Sequence, residues 1–372
     1  MQFEFSEEQE AIRQATRSFL EEVSTPTEVR RVIKTPEGYD ADVWRALASD
    51  LELVGLLIPQ AHGGSGLGFV ELAAVMQEMG RALLCAPYFA SAVLAPVAIA
   101  LLGDEAAAAR LLPDIASGLQ RAALAVTETT PGVDAIETRA RADGDGFRVS
   151  GRKPFVIDGF TADHLLIVAR LEGEAASLGL FCVESDAAGL ERTPLDTLDP
   201  TRKQAHLEFK DSKAWAVGPP TEAAQIERVL ARAAVALAAE QAGGAERTLE
   251  DTVAYVQLRE QFGRPIGSFQ AVKHKCADML MAAESAKAAA QYSAWAASRN
   301  AEDADAAAAV AKATCSEAYL HNAGESLQLH GGIGFTWESD AHLHLKRARS
   351  SWQLLGPPSA HRETTAVRMG LR

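Results

Sequence analysis

From residue 222 onwards the chain is a succession of long, alanine-rich segments in which apolar residues recur at helical spacing. These segments cover about 222–258, 270–299 and 303–329, and a shorter one covers about 340–352. Small side chains repeated at the 3.6-residue period are typical of helices that pack side by side along their length. The sequence therefore predicts a C-terminal four-helix bundle over residues 218–372.

Residues 1–119 also follow a helical period, in shorter runs. Ser6 and Gln9 have the spacing of a capping box at the start of the first helix. Further helices are expected over about 42–57, after the glycine-rich stretch 62–68, and over about 91–112, where Pro113 would end the last one. These runs predict an N-terminal all-α domain.

The period changes to short apolar runs between residues 120 and 217. Gly144-Asp145-Gly146 provides a hairpin turn, and the runs HLLIVARL, SLGLFCVE and QAHLEFKD have the length of strands. This spacing predicts a middle β domain that is either a barrel or a sandwich. The fold class predicted for the whole chain is α+β, with the β domain between two helical domains.

Composition excludes several classes of function for these 372 residues. A net charge of −14 and a pI near 5.2 argue against a nucleic-acid surface, which needs clustered basic residues. No apolar run is long enough to span a membrane, and the acidic N-terminus lacks the features of a signal peptide, so a cytoplasmic protein is expected. Four widely spaced cysteines predict reduced, buried thiols, and the histidine spacing predicts no metal site.

Two segments of the C-terminal part allow both a structural and a ligand-binding interpretation. REQFGRPIGSFQ (259–270) follows a predicted helix with a guanidinium that suits phosphate and with two aromatic rings, but a cation and a turn are also common at helix ends. LQLHGGIGF (327–335) ends a helix at two glycines, which cap helices and also let a ligand approach the backbone. The glycine-rich stretch HGGSGLG (62–68) lacks the strand that a phosphate loop requires, and we interpret it as an interhelical loop.

Taken together, these segments resemble the acyl-CoA dehydrogenase family along nearly the whole chain. PQAHGGSGLG, AVTETTPGVD (125–134) and VSGRKPFVIDG (149–159) are similar to segments of that family, and REQFGRPIGSFQAVKHKCADM and LQLHGGIGFTWESDAHLHLKRA are its most specific matches. The family's order of domains is the order predicted above. The resemblance implies domain boundaries at 1–119, 120–217 and 218–372.

The resemblance also implies a cofactor, a substrate and partners. FAD is expected between the β domain and the C-terminal bundle, an acyl-CoA thioester as the substrate, an electron-transfer flavoprotein as the electron acceptor, and a homo- or heterotetramer. The residues expected to contact FAD match family motifs: Arg259, Phe262, Ile266, Phe269, Gln270, Gln328, Gly331, Gly332 and, beside the flavin ring, Thr127.

The family's catalytic carboxylate is missing at both of its usual positions. The glutamate that follows the last long helix corresponds to Leu355, and the alternative position on the first bundle helix corresponds to Ala233. Not one carboxylate occurs between Ala341 and Arg362. Glu240 is the remaining candidate, but it lies seven residues, or roughly 10 Å, along the helix from Ala233, and a buried ion pair is an alternative role for it.

These departures lead to four hypotheses. The chain can be the FAD-binding subunit of a heteromeric acyl-CoA dehydrogenase whose partner supplies the base, which resembles bacterial members that act on bulky steroid or side-chain thioesters. It can be a self-sufficient homotetramer that uses Glu240. It can be a flavin monooxygenase on the same fold, which needs no α-proton base, or a structural subunit without catalysis.

Overall fold

A computed structural model describes residues 5–173 and 177–371, in eleven α-helices and nine strands. The helices are α1 (Glu7–Val23), α2 (Pro26–Val32), α3 (Ala41–Ser49), α4 (Phe69–Arg81), α5 (Ala95–Leu102), α6 (Glu105–Ala116), α7 (Ala223–Leu258), α8 (Gln270–Ser298), α9 (Ala304–His330), α10 (Ala341–Gln353) and α11 (Pro358–Arg368). The strands are β1 (Ala122–Ala125), β2 (Arg139–Asp143), β3 (Gly146–Ile157), β4 (His164–Leu171), β5 (Leu178–Glu184), β6 (Leu190–Pro194), β7 (Gln204–Ala216), β8 (Glu260–Gln261) and β9 (Arg264–Pro265). The α+β class and the order of helical, β-rich and helical parts are confirmed.

The chain forms two compact units, of which the first consists of Met1–Arg31, Gly68–Leu84 and Ala234–Arg372. In this unit α9 is the central helix, and α8, α10 and α11 pack against it. Alanines fill the buried face of α9, so the neighbouring helices approach closely. At Gly244 of α7 even a Cβ atom would overlap the ring of Tyr319, which explains the glycine in an otherwise alanine-rich helix.

The second unit consists of Val32–Leu67 and Cys85–Ala233 and contains a seven-stranded sheet. Strands β4, β2, β3, β7 and β5 pair in that order, and β5 pairs back onto β4, so these strands form a closed ring. Strand β1 joins β4 and strand β6 joins β7. Of the two predicted alternatives, a barrel and a sandwich, the β domain is therefore the barrel. Its interior is filled by a cluster of apolar side chains that includes Val149, Leu165, Phe181 and Phe209.

Several local predictions are confirmed and others need correction. The capping box of Ser6 and Gln9 is present, and Gly144-Asp145 forms the two-residue turn between β2 and β3. Helix α3 ends at Ser49 instead of reaching residue 57. The single helix expected over 91–112 is a six-residue π-helical turn (Phe89–Leu94) followed by two α-helices that break at Gly103. None of the four cysteines forms a disulfide, as expected, but Cys276 is only half-buried.

Candidate active site

A short hairpin follows helix α7 and carries the first group of expected cofactor contacts. Strands β8 and β9 pair through a two-residue turn, in which Phe262 and Gly263 both have positive φ, as primed hairpin turns require. The carbonyl of Arg259 accepts a hydrogen bond from the N–H of Ile266 at 2.8 Å, which closes the base of the hairpin. This geometry leaves the Phe262 ring 92% exposed.

The side chains of this hairpin offer charge and aromatic surface together. The Arg259 guanidinium is exposed, and none of the described residues accepts a hydrogen bond or forms an ion pair with it. The rings of Phe262 and Phe269 meet edge to face at 6.1 Å, and the Arg264 guanidinium lies 4.0 Å above the Phe269 ring. Arg264 was not predicted, although its position two residues after Phe262 was a usable signal. Gln270 is exposed at the start of α8.

The second group of expected contacts lies at the end of helix α9. Gly331 ends the helix with φ 65°, and neither at Gly331 nor at Gly332 would a Cβ atom meet another atom within 4 Å. Gln328 is exposed one turn earlier. The Tyr255 ring of α7 stacks on His330 at 4.1 Å, and its hydroxyl donates to the His330 carbonyl at 3.3 Å. The ends of α7 and α9 are therefore held side by side.

These features fit the adenosine diphosphate part of a dinucleotide. An unpaired guanidinium suits a pyrophosphate, an exposed phenylalanine ring suits an adenine, and open glycine backbone admits a ligand at contact distance. The hairpin and the end of α9 supply these three features from one compact unit.

In the second unit, the segment after strand β1 is fixed by a buried ion pair that the sequence did not reveal. Lys153 of β3 is fully buried, and its Nζ donates to Glu128 at 2.7 Å and to the Val126 carbonyl at 3.0 Å. Burial lowers the pKa of Lys153 to about 8. Burial alone would raise the pKa of Glu128, but hydrogen bonds from Lys153 and Thr138 outweigh it and lower that pKa. The pair holds the backbone on either side of Thr127, whose side chain is exposed.

The loop that replaces the usual catalytic glutamate has an unusual backbone. Leu355 has φ 59°, a left-handed conformation that is uncommon for leucine, and Gly356 follows with φ 99°. His361 of α11 donates from Nε2 to the Leu355 carbonyl at 2.9 Å, and Lys312 of α9 donates from Nζ to the Gly356 carbonyl at 3.3 Å. Among the described residues, no acceptor bonds the Leu355 N–H. The loop thus presents a backbone donor and no carboxylate.

The other two positions considered for the base lie on helix α7. Ala233 is fully buried and has no functional group. Glu240 is also buried, and its Oε1 accepts a hydrogen bond from Arg347 of α10 at 3.1 Å, while the second terminal nitrogen of Arg347 donates to the Leu84 carbonyl at 3.2 Å. Glu240 is therefore engaged in an ion pair between two helices, as the structural alternative for this residue anticipated.

The barrel brings together three residues whose spacing in the sequence had not suggested a cluster. His164 and Glu184 face each other across β4 and β5, and Cys182 lies on the same face, so that one ligand atom of each lies within 4.8 Å of the others. His164 Nδ1 lies 2.8 Å from a Glu184 carboxylate oxygen, and Arg110 also contacts Glu184.

The buried lysine of α9 predicts a specific pH dependence of stability. Burial lowers the pKa of Lys312 to about 7, whereas a lysine in an unfolded chain titrates near about 10.4. Between these values the unfolded chain binds one more proton, so this group makes the free energy of unfolding rise with pH. In urea titrations at pH 7 and pH 9, the wild type should gain stability relative to Lys312→Met at the higher pH. Parallel pH curves for the two proteins would contradict this.

Comparison with known proteins agrees with the fold. Family models for the N-terminal, middle and C-terminal domains of acyl-CoA dehydrogenases match residues 6–119, 123–212 and 223–370. The acyl-CoA dehydrogenase IpdE2 of Mycobacterium tuberculosis is 34% identical over 95% of this chain and 94% of its own length. A variant of the Tcur3481–Tcur3483 steroid acyl-CoA dehydrogenase is similar with a TM-score of 0.89 and 32% identity over 98% of each chain. The ChsE4–ChsE5 complex of Mycobacterium tuberculosis gives 0.90 and 26% over the full length of both chains.

The fold and the three family models define a flavin-dependent dehydrogenase, and the chain belongs to the acyl-CoA dehydrogenase family. Its cofactor is FAD, and it is an oxidoreductase that acts on acyl-CoA. The family, the cofactor and the class of reaction expected from the sequence are thereby confirmed. No helix in the described part of the chain is long and apolar enough to cross a membrane.

Proposed function

We propose that this chain is the FAD-binding subunit of a heteromeric acyl-CoA dehydrogenase, in which a second member of the family supplies the catalytic base. The observation that carries the proposal is the loop at Leu355, which has a backbone donor available and no carboxylate. The names of two similar structures, Tcur3481–Tcur3483 and ChsE4–ChsE5, each combine two proteins, which supports an assembly of this type.

The Leu355 N–H has a direct use in this reaction. Removal of the α-proton from an acyl thioester places negative charge on the thioester oxygen, and a fixed N–H donor stabilises that charge most in the transition state. The N–H belongs to the backbone, so a leucine can provide it as well as a glutamate. Two features fix the direction of this donor. Leu355 has a left-handed backbone conformation, and the carbonyls of Leu355 and Gly356 each accept a hydrogen bond from a side chain.

The proton itself needs a base within hydrogen-bond reach, and this loop does not contain one. FAD, when bound, supplies the acceptor for the hydride from Cβ. In the proposed heteromer this chain binds FAD and a thioester oxygen, while a glutamate of the partner, within hydrogen-bond reach of the same thioester, removes the α-proton. Electrons then leave to an electron-transfer flavoprotein, as the family resemblance implies.

Arg259 is proposed to bind the pyrophosphate of FAD, with Phe262, Phe269 and the glycines at the end of α9 around the adenosine. Arg259→Gln removes an exposed cation that has no partner among the described residues, so stability should not change while FAD binds about 10-fold to 100-fold more weakly, the range expected for one charge-assisted hydrogen bond. Fluorescence titration of the apoprotein with FAD measures this affinity. Arg299→Gln, at an exposed arginine after α8, is the matched control. Equal FAD affinity in Arg259→Gln and the control would contradict the assignment.

The division of labour between two chains is tested by purifying this chain alone and together with a co-expressed family member that carries the glutamate. The complex should reduce a dye in the presence of an acyl-CoA panel, and this chain alone should show at least about 100-fold lower turnover, the usual contribution of a positioned base. Bound FAD is measured in both preparations from the visible spectrum. Ordinary dehydrogenase rates from this chain alone would contradict the proposal.

A further inference from the structure

A row of buried, hydrogen-bonded polar side chains lies outside the proposed cofactor contacts and ends at the Leu355 loop. Gln241 of α7 exchanges hydrogen bonds with Ser316 of α9 at 3.0 and 3.2 Å, and Ser316 accepts one from Lys312 Nζ at 2.8 Å. Lys312 then donates to the Gly356 carbonyl. Gln241, Ser316 and Lys312 are each fully buried, so these hydrogen-bonded side chains connect the core of the first unit to the loop.

Burial of a lysine side chain at position 312 is energetically unfavourable. No carboxylate forms an ion pair with it among the described residues, and burial of an ammonium without a carboxylate partner is unfavourable, which argues against a merely structural lysine. Burial lowers the pKa of Lys312. Burial also lowers the pKa of the neighbouring His361, so this imidazole is neutral near pH 7 and donates through Nε2–H. Two nitrogen donors from two helices thus hold two consecutive carbonyl groups.

These two contacts act on the part of the loop that matters for the reaction. The carbonyls of Leu355 and Gly356 are the acceptors, and the Leu355 N–H is adjacent to both. A left-handed leucine is conformationally strained and persists only where the surroundings fix it. Two local backbone hydrogen bonds join the loop to α10, from the Leu354 N–H to the Ser350 carbonyl and from the Gly356 N–H to the Gln353 carbonyl, each at 3.1 Å.

We propose that Lys312 and His361 are positioning residues that clamp the Leu355–Gly356 backbone, so that the Leu355 N–H is directed at the thioester oxygen. Lys312 sets the loop from the core side, through Ser316 and Gln241, and His361 sets it from helix α11. Neither residue touches the reacting carbon atoms in this role. The role in thioester binding rests on the proposed function, whereas the clamp on the loop does not.

Hydrogen–deuterium exchange of the flavin-loaded protein tests the clamp directly. In Lys312→Met the peptide that covers residues 350–361 should exchange at least about 10-fold faster, while peptides of the β-barrel keep their wild-type rates. Lys287→Met on α8, which removes a partly exposed lysine with a 3.9 Å ion pair to Glu246, is the matched control and should leave this peptide unchanged. Equal exchange in the wild type and Lys312→Met overturns the proposal.

His361 provides a second variant in case Lys312→Met does not fold. His361→Phe removes the donor and should speed exchange of the same peptide, and His361→Gln, which retains an N–H donor, should restore part of the protection. If the peptide exchanges at the same rate in His361→Phe and His361→Gln, the hydrogen bond from residue 361 does not hold the loop, and the proposal fails.

Thioester binding separates the clamp from the proposed function. Binding of crotonyl-CoA to the flavin-loaded complex is followed by the change in flavin absorbance, and Lys312→Met and His361→Phe should each weaken it at least about 10-fold at unchanged FAD content. If hydrogen exchange of the loop becomes faster in a variant but its affinity for crotonyl-CoA stays the same, the proposal that the clamp positions the Leu355 N–H is refuted. If the wild-type complex binds neither crotonyl-CoA nor any other thioester of the acyl-CoA panel, the proposed function fails, and the exchange experiment still decides on the clamp.

Discussion

Replacement of Leu355 by glutamate is expected to give the isolated chain an acyl-CoA dehydrogenase activity of its own, at least about 100-fold above that of the wild type. Leu355 already has a left-handed backbone, which glutamate adopts at no greater cost than leucine. Only the functional group is missing from this position, and the substitution adds it without the need for a new backbone. Dye reduction with a panel of acyl-CoA thioesters measures the gain.

Leu355→Gln is the control for this gain because glutamine has the size and polarity of glutamate without a basic carboxylate. The glutamine variant should remain as inactive as the wild type and bind the same amount of FAD. A glutamate variant that binds FAD but is no more active than the glutamine variant would show that more than a base is missing from this chain. The proposed division of labour with a partner would then need a different explanation.

The periodicity of the sequence predicted the long elements well because their packing repeats along the chain. Helices α7, α8 and α9 agree with the expected segments to within a few residues, since an alanine-rich helical period has no competing interpretation over 27 residues or more. The hairpin between β2 and β3 followed from its glycine-containing turn.

The short helices were predicted less well because local breaks override the apolar period. Helix α3 stops at Ser49, and Glu52 adopts φ 52°, so the apolar residues from Leu53 to Ile58 are buried in turns and not on a helix face. In α6, Pro113 lies inside the helix and does not end it. Pro113 lacks the N–H for one intrahelical hydrogen bond, yet the helix continues to Ala116, and the sequence alone does not show this.

The site was predictable where one segment carries the contact and was not predictable where distant segments meet. The Arg259 hairpin and the glycines at the end of α9 were found as motifs because their residues are adjacent in sequence. The Lys153–Glu128 pair, the Lys312 contact with Gly356 and the cross-strand group of His164 with Glu184 each join residues that lie 20 or more positions apart. Only β-register and helix packing bring such residues together.

The ion pair of Glu240 and Arg347 predicts the largest effect on stability. In Glu240→Gln, the buried Arg347 loses a charged partner, and removal of one partner of a buried pair costs about 3–5 kcal/mol in the free energy of unfolding. Urea unfolding of the variant measures this loss. If Glu240 were instead the catalytic base of a self-sufficient enzyme, the same substitution would abolish turnover.

The two roles of Glu240 are separated by a double variant. Glu240→Met combined with Arg347→Met replaces both charges by apolar side chains and should recover most of the stability that Glu240→Gln loses, because no buried charge then remains unpaired. The double variant, assayed in the complex with a glutamate-bearing partner, should retain turnover within about 3-fold of the wild type. Loss of turnover in a stable, FAD-loaded double variant would return the catalytic role to Glu240. Retained turnover leaves this glutamate with the role its contacts indicate, which is to join helix α7 to helix α10 within the core of the first unit.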